Sequence, residues 1–266
     1  HQACSDWHFF AEAGVSTRIA VNIPAQALGD MRYLDTLFAN LEEHDVPADR
    51  FILEVLETQG DGPDVARHEG FIEELRRNGI EIEQDDLGSG HSSLVRMDRY
   101  PFDAVKIDQE LVRGALRNPQ RALEFILYLT RLAHALQTPV TVEGLENLAI
   151  IEAAAVLGAD RGQGFGISPP LPARDVPEWR RNYDYPVDVQ KPRTALGAMA
   201  VYVAEFAEAA NVAQHFVTSN ALQGSDLDHL MQRSRGVTRE GAHSLTYQEM
   251  RTRIIGELHA HWTQER

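Results

Sequence analysis

A chain of 266 residues with a formal net charge of −15, 43% hydrophobic and 24% charged residues, has the make-up of a globular protein with one large domain, or one large and one small. The acidic balance argues against non-specific binding of duplex nucleic acid, which needs a basic footprint, but admits a phosphorylated small molecule wherever divalent cations invert the local field. No run of about 18 apolar residues offers a membrane span, no basic-then-apolar leader opens the chain, and a lone cysteine, Cys4, forms no intrachain disulfide, in keeping with a reducing cytoplasm.

His1–Gly14 reads as the end of a helix. Strand-like segments follow, each running into a polar or charged residue. Arg18–Val21 leads to Asn22, Phe51–Leu53 to Glu54, and Ile80–Gln84 to Asp85 and Asp86. Phe102–Val105 leads to Lys106, Pro139–Val142 to Glu143, and Ala159–Gly162 to Gln163. Leu34–Leu41, Val65–Arg77, Gln120–Ala135 and Leu148–Leu157 have helical patterning. Alternating strand and helix implies a parallel sheet with crossover connections. The repeat approaches the roughly 31 residues per unit of a TIM-like (β/α)8 barrel. Six units can be counted where a closed barrel has eight, so the expectation is an α/β barrel lacking about two strands on its N-terminal side.

The barrel-like domain is expected over 1–182 and a proline-containing linker over 183–193. A small all-α region is expected over 194–266, with a regulatory or dimerising role. Leu196, Met199, Val203, Phe206, Ala210 and Ala213 form a narrow helical seam. Thr246 and Glu249 make a capping box that opens a second helix, whose apolar face is Tyr247, Met250, Ile254 and Leu258. The two faces are expected to pack together. His215, His229, His243, His259 and His261 are better read as solvated or packed side chains than as a metal site, since His259 and His261 face different sides of a helix.

In such barrels the polar groups at the C-terminal strand ends converge on one mouth. Several carboxylates there repel one another unless a cation joins them, which calls for metal ions and an anionic substrate. Asp85-Asp86-Leu87-Gly88-Ser89-Gly90 is the sharpest local signal. Adjacent side chains on a strand point to opposite faces, so both aspartates reach one site only where the strand gives way to a loop, which the glycines permit. Standing alone, the motif is equally an ordinary polar turn. Of Glu54 and Glu57, only one can point into the mouth of a continuing strand. Lys106 either holds a phosphate or a water, or snorkels to the surface. Each feature is weak by itself; their order along the chain gives them weight.

Taken together these motifs resemble those of the EAL domain family of bacterial cyclic di-GMP phosphodiesterases. Val21-Asn22-Ile23-Pro24 resembles the family's asparagine-bearing strand end, and Glu54 to Glu57 its ExxE motif. The run Asp85 to Leu94 resembles DDFGTGYSSL, and Lys106-Ile107-Asp108 resembles KxD. Glu143-Gly144-Leu145-Glu146 resembles EGVE, and Gln163-Gly164-Phe165 resembles QGY. The resemblance covers about residues 2–180. It implies two Mg²⁺ or Mn²⁺ ions held by Asn22, Glu54, Asp85, Asp86 and Glu143, with Lys106, Glu143 and Gln163 as the catalytic set. It further implies that Glu57 anchors the loop beginning at Asp86 and that Asp108 supports Lys106. Hydrolysis of cyclic di-GMP to pGpG, a homodimer, and an upstream sensory or GGDEF-like domain are the corresponding expectations. The sequence also departs from the pattern. The Glu-Ala-Leu motif is absent from this chain, and Leu87, Ser89 and His91 replace the usual Phe, Thr and Tyr. These departures keep open the alternative of a receptor that binds cyclic di-GMP without cleaving it.

Overall fold

The computed structural model describes residues 1–24, 27–55, 65–88, 97, 100–114, 118–185 and 187–218. Among them, six strands form one parallel sheet in chain order. They are β1 (Ile19–Ile23), β2 (Phe51–Val55), β3 (Glu81–Leu87), β4 (Ala104–Ile107), β5 (Val140–Val142) and β6 (Arg161–Gly162). Helix α1 (Gln2–Glu12) precedes the sheet. In chain order, α2 (Met31–Glu43), α3 (Val65–Arg77), α4 (Gln109–Arg113), α5 (Pro119–Ala135) and α6 (Leu148–Val156) lie between strands. α7 (Val176–Asn182) and α8 (Ala195–Thr218) follow them.

The sheet curls into a half barrel. Glu83 on β3 meets Arg161 on β6 at 2.7 Å. Those strands stand roughly 14 Å apart in a flat sheet, so the two side chains meet only when the sheet bends toward their face. Strand alternation sorts the two surfaces. Phe51, Leu53 and Val55 are buried with Phe71, Ile72 and Leu75 of α3 in one apolar cluster on the convex side. Val105, Ile107, Val140 and Val142 are buried with Leu123, Ile126 and Leu127 of α5 in a second. The intervening positions, Glu54, Glu83, Asp85, Lys106 and Thr141, face the concave side. This is the partial TIM-like barrel expected from the strand–helix alternation.

The strands run further than their apolar segments suggest. β1, β2, β3 and β4 continue to Ile23, Val55, Leu87 and Ile107, so Asn22, Glu54, Asp85, Asp86 and Lys106 lie inside the ladder, not beyond it. Asn22 is in register with Glu54, and Glu54 with Glu83. Charged side chains are accepted because they project into the open concavity while the backbone ladder continues beneath them.

α8 departs from the expected organisation. It was expected to start a separate helical region, yet Ala200, Val203 and Ala207 are buried in the same cluster as Val105 and Val142. Val203 of the expected seam therefore packs on α5 and α6. The cause is polar as well as apolar. Glu152 on α6 is fully buried and accepts hydrogen bonds from the backbone N–H groups of Arg193 at 3.0 Å and Thr194 at 2.8 Å. Thr194 in turn accepts from the N–H of Gly197. A carboxylate placed at the exposed donors of a helix N-terminus is favoured by both hydrogen bonding and the helix dipole. A side chain at Gly197 would run into Pro192 and Glu152, with the nearest atom at 2.7 Å, so the close approach needs glycine there. The expected second helix, with Tyr247, Met250, Ile254 and Leu258, lies outside the described residues.

Burial pushes the Glu152 pKa up, but hydrogen bonds from Thr194 and from the backbone of Arg193 and Thr194 outweigh it and hold the carboxyl below its ordinary value of 4.5. The folded pKa is thus below the unfolded one. The stabilisation is complete above the ordinary glutamate range and drains away as the pH falls through the lower folded value. Glu152→Gln keeps the shape but turns an amide donor toward N–H groups, and it is expected to cost about 2–3 kcal/mol in urea unfolding at pH 7. The parent and the variant should converge as the pH is lowered below 4.5.

Candidate active site

β2, β3, β4 and the turn after β5 deliver their polar residues to one point. The ammonium of Lys106 lies 3.2 Å from Glu54 Oε2, 3.2 Å from Asp85 Oδ1 and 2.7 Å from Glu143 Oε1. The Lys106 side chain is 5% exposed, and those of the three carboxylates 11–16%. Lys106 is therefore a buried hub and not a snorkelling surface residue. Burial pulls its pKa down, but the Glu143 hydrogen bond and the charges of Asp85, Glu143 and Glu54 more than reverse this, so it stays protonated throughout the accessible pH range.

Both adjacent aspartates reach the site, by a route the sequence did not reveal. The β3–β4 register jumps from Gln84–Val105 to Leu87–Ile107, so two residues of β3, Asp85 and Asp86, oppose the single Lys106. This is a β-bulge within the strand. Asp86 takes up the extra residue in the left-handed region at φ 58°, and its N–H donates to Asp85 Oδ1 at 3.0 Å. Gly88 follows at φ 98°, where a side chain would meet Leu111 at 2.5 Å. Burial raises the Asp86 pKa, and Asp85, Asp108 and Glu143 raise it further against the opposing pull of Lys106.

The remaining expected residues divide. Asn22 sits on β1 beside Glu54, exposed on the open side of the half barrel. Gln163 follows β6; its N–H donates to Val142 and its carbonyl accepts from Leu145, while the residue as a whole is exposed. Asp108 is buried and caps α4 by accepting from the N–H of Glu110, a structural duty the sequence reading did not name. Glu57 lies outside the described residues. Glu83 and Arg161 were missed. Strand alternation places Glu83 on the face of Asp85 and could have flagged it; nothing local marked Arg161.

The donors around Lys106 are all carboxylate oxygens, with an amide oxygen available at Asn22. Such a hard set suits Mg²⁺ or Mn²⁺ and not a thiophilic metal. Glu54, Asp85, Asp86 and Glu143 outnumber the one ammonium; burial is the main cause of the raised Asp86 pKa, and the neighbouring carboxylates add a repulsion that a divalent cation would relieve. Among the described residues no three His, Cys, Asp or Glu side chains group closely enough to enclose a metal by themselves. Lys106 occupies the point on which three of the carboxylates converge.

The EAL domain family model matches residues 1–170. The chain belongs to the EAL domain family. This EAL domain is 29% identical over 175 residues to the cyclic di-GMP phosphodiesterase PdeR of Escherichia coli, covering 65% of this chain and 26% of PdeR. It is 30% identical over 166 residues to the cyclic di-GMP phosphodiesterase RocR of Pseudomonas aeruginosa, covering 61% of this chain and 41% of RocR. Among solved structures, the PaMucR phosphodiesterase in complex with c-di-GMP superposes with a TM-score of 0.60 at 28% identity, over 66% of this chain and 70% of that one. The chain thus spans less than half the length of these two curated relatives.

Substitutions at two positions test this reading of the site. Lys106→Met keeps the bulk and removes the charge, leaving three carboxylates facing one another. It should cost about 3 kcal/mol in urea unfolding at neutral pH without divalent cations. Asp86→Gly and Asp86→Ala remove the same carboxylate, but only glycine is at ease at φ 58°. The alanine variant should unfold about 1 kcal/mol more easily than the glycine variant.

Proposed function

We propose that this EAL domain hydrolyses the phosphodiester bond of cyclic di-GMP to give linear pGpG, in a Mg²⁺- or Mn²⁺-dependent reaction. The observation that carries the reading is the gathering of Glu54, Asp85 and Glu143 around a buried Lys106 on the concave side of an EAL-family half barrel. Relatives named as cyclic di-GMP phosphodiesterases, and a solved relative in complex with c-di-GMP, support the choice of substrate.

In this reading Asn22, Glu54, Asp85, Asp86 and Glu143 hold the metal ions. Two such ions, when bound, polarise the phosphodiester and supply a nucleophile at neutral pH. Lys106 holds a permanent positive charge where the phosphoryl oxygens become more negative, which lowers the barrier without a reorganisation cost. Gln163, exposed beside the mouth, orients the substrate phosphate or the attacking water, and Asp108 steadies the segment after Lys106 by capping α4. The bulge at Asp85–Asp86 brings two carboxylates from one strand into the same set.

One feature favours a second reading, a cyclic di-GMP receptor without turnover: the Lys106 ammonium stands where the carboxylates converge and competes with a metal for them. The two readings part in one experiment. Cyclic di-GMP is incubated with the protein and Mg²⁺ or Mn²⁺, and pGpG is followed by chromatography alongside equilibrium binding. Steady pGpG formation that falls to background in Asp85→Asn is the expected result. Binding of cyclic di-GMP with no pGpG under either ion establishes the receptor, and neither binding nor cleavage overturns both.

A further inference from the structure

Two rows of side chains line the concave side of the half barrel. Asn22, Glu54, Glu83 and Ala104 are in register across β1 to β4, and Lys106, Thr141 and Arg161 across β4 to β6. The first row sets two carboxylates side by side, because Glu54 and Glu83 stand on neighbouring strands roughly 5 Å apart. Like charges placed opposite one another in a sheet are unfavourable, and here the Glu83 side chain is only 5% exposed.

Two cations answer these glutamates, and the pairing is crossed. Lys106 on β4 stands next to β3, yet of the two glutamates in that row it pairs with Glu54 on β2, at 3.2 Å. Glu83 on β3 is held instead by Arg161, which reaches it from β6 at 2.7 Å. Ala104, beside Glu83 in the row, carries only a methyl group and leaves the approach open. The Lys106 ammonium has three protons to donate, and Glu54, Asp85 and Glu143 match them. Glu83 is a fourth carboxylate for which Lys106 has no donor left. Burial raises the Glu83 pKa and Arg161 opposes this; Glu54 raises it further and Lys106 lowers it, so the Glu83 charge is coupled to both.

We propose that Arg161 is a positioning residue for Lys106: by holding the charge of Glu83, it keeps the Lys106 ammonium at the mouth among Glu54, Asp85 and Glu143. The consequence for catalysis rests on the phosphodiesterase reading. Without the guanidinium, Glu83 is a buried carboxylate lacking its partner, a costly state that favours recruiting another cation. Lys106 already acts on Glu83 from the adjacent strand. Any movement of its ammonium toward Glu83 withdraws positive charge from the place where the phosphoryl oxygens become more negative. A misplacement on the order of 1 Å in such a group can cost about 100-fold in rate.

The test exploits the lysine content. The chain has two lysines, Lys106 and the exposed Lys191, so isotopically labelled lysine gives one set of side-chain NMR signals for each. In the full chain, Arg161→Met should shift the Lys106 signals and leave those of Lys191 in place. The same variant should lower kcat for cyclic di-GMP with Mg²⁺ by about 10- to 100-fold, with little change in KM. Adding Glu83→Gln removes the competing charge and should return the Lys106 signals and most of kcat to the parent values. Should Arg161→Met fail to fold, Arg161→Gln, uncharged but still polar, takes its place. Unmoved Lys106 signals in a folded Arg161 variant would overturn the proposal, as would a displacement that Glu83→Gln does not reverse. Absence of turnover in the parent under either Mg²⁺ or Mn²⁺ would overturn the phosphodiesterase reading instead, and the Lys106 signals would still decide the role of Arg161.

Discussion

Everything at the mouth of this half barrel depends on the attraction between one buried ammonium and the carboxylates around it. Glu54, Asp85 and Glu143 come from three different parts of the chain and would repel one another at the distances they keep from Lys106. In a partly buried setting that repulsion is far less screened than at an open surface. Lys106 offsets part of it; at Asp86 burial raises the pKa and the neighbouring carboxylates raise it further. A site balanced in this way is suited to exchange one cation for another, which relates the folding of the mouth to its proposed chemistry.

The backbone contributes as much as the charges. A regular β3 would send Asp85 and Asp86 to opposite faces. The bulge opposite Lys106 removes this constraint by placing Asp86 at φ 58°, a conformation that aspartate tolerates better than most residues. Gly88 completes the turn where Leu111 leaves no room for a side chain. Below this level the pair Glu83–Arg161 ties β3 to β6 across the concavity.

α8 shows how a polar contact can decide a domain boundary. The prolines between α7 and α8 suggest a linker, and the periodicity of α8 suggests a helix with a partner of its own. Glu152 joins the two otherwise: its buried carboxylate takes the N–H groups that open α8, and Ala200, Val203 and Ala207 then complete the core above α5 and α6. A glutamate in the middle of an apolar helix gives little sign in the sequence of which distant donors it will meet.

The sequence by itself determined the alternation of strands and helices and marked Glu54, Asp85, Lys106 and Glu143 as polar residues at neighbouring strand ends. These follow from local periodicity and from the rule that polar groups at parallel strand ends share one edge of the sheet. Even the family resemblance rests on short motifs in a fixed order. Tertiary structure alone decided that Lys106 is the hub and not a surface lysine, that Asp86 reaches the site through a bulge, that Glu83 finds Arg161, and that α8 belongs to the core. Each of these joins residues distant in the chain or depends on register between neighbouring strands. Such contacts are set by sheet curvature and by the free energy of burying charge, and neither is encoded within any one segment.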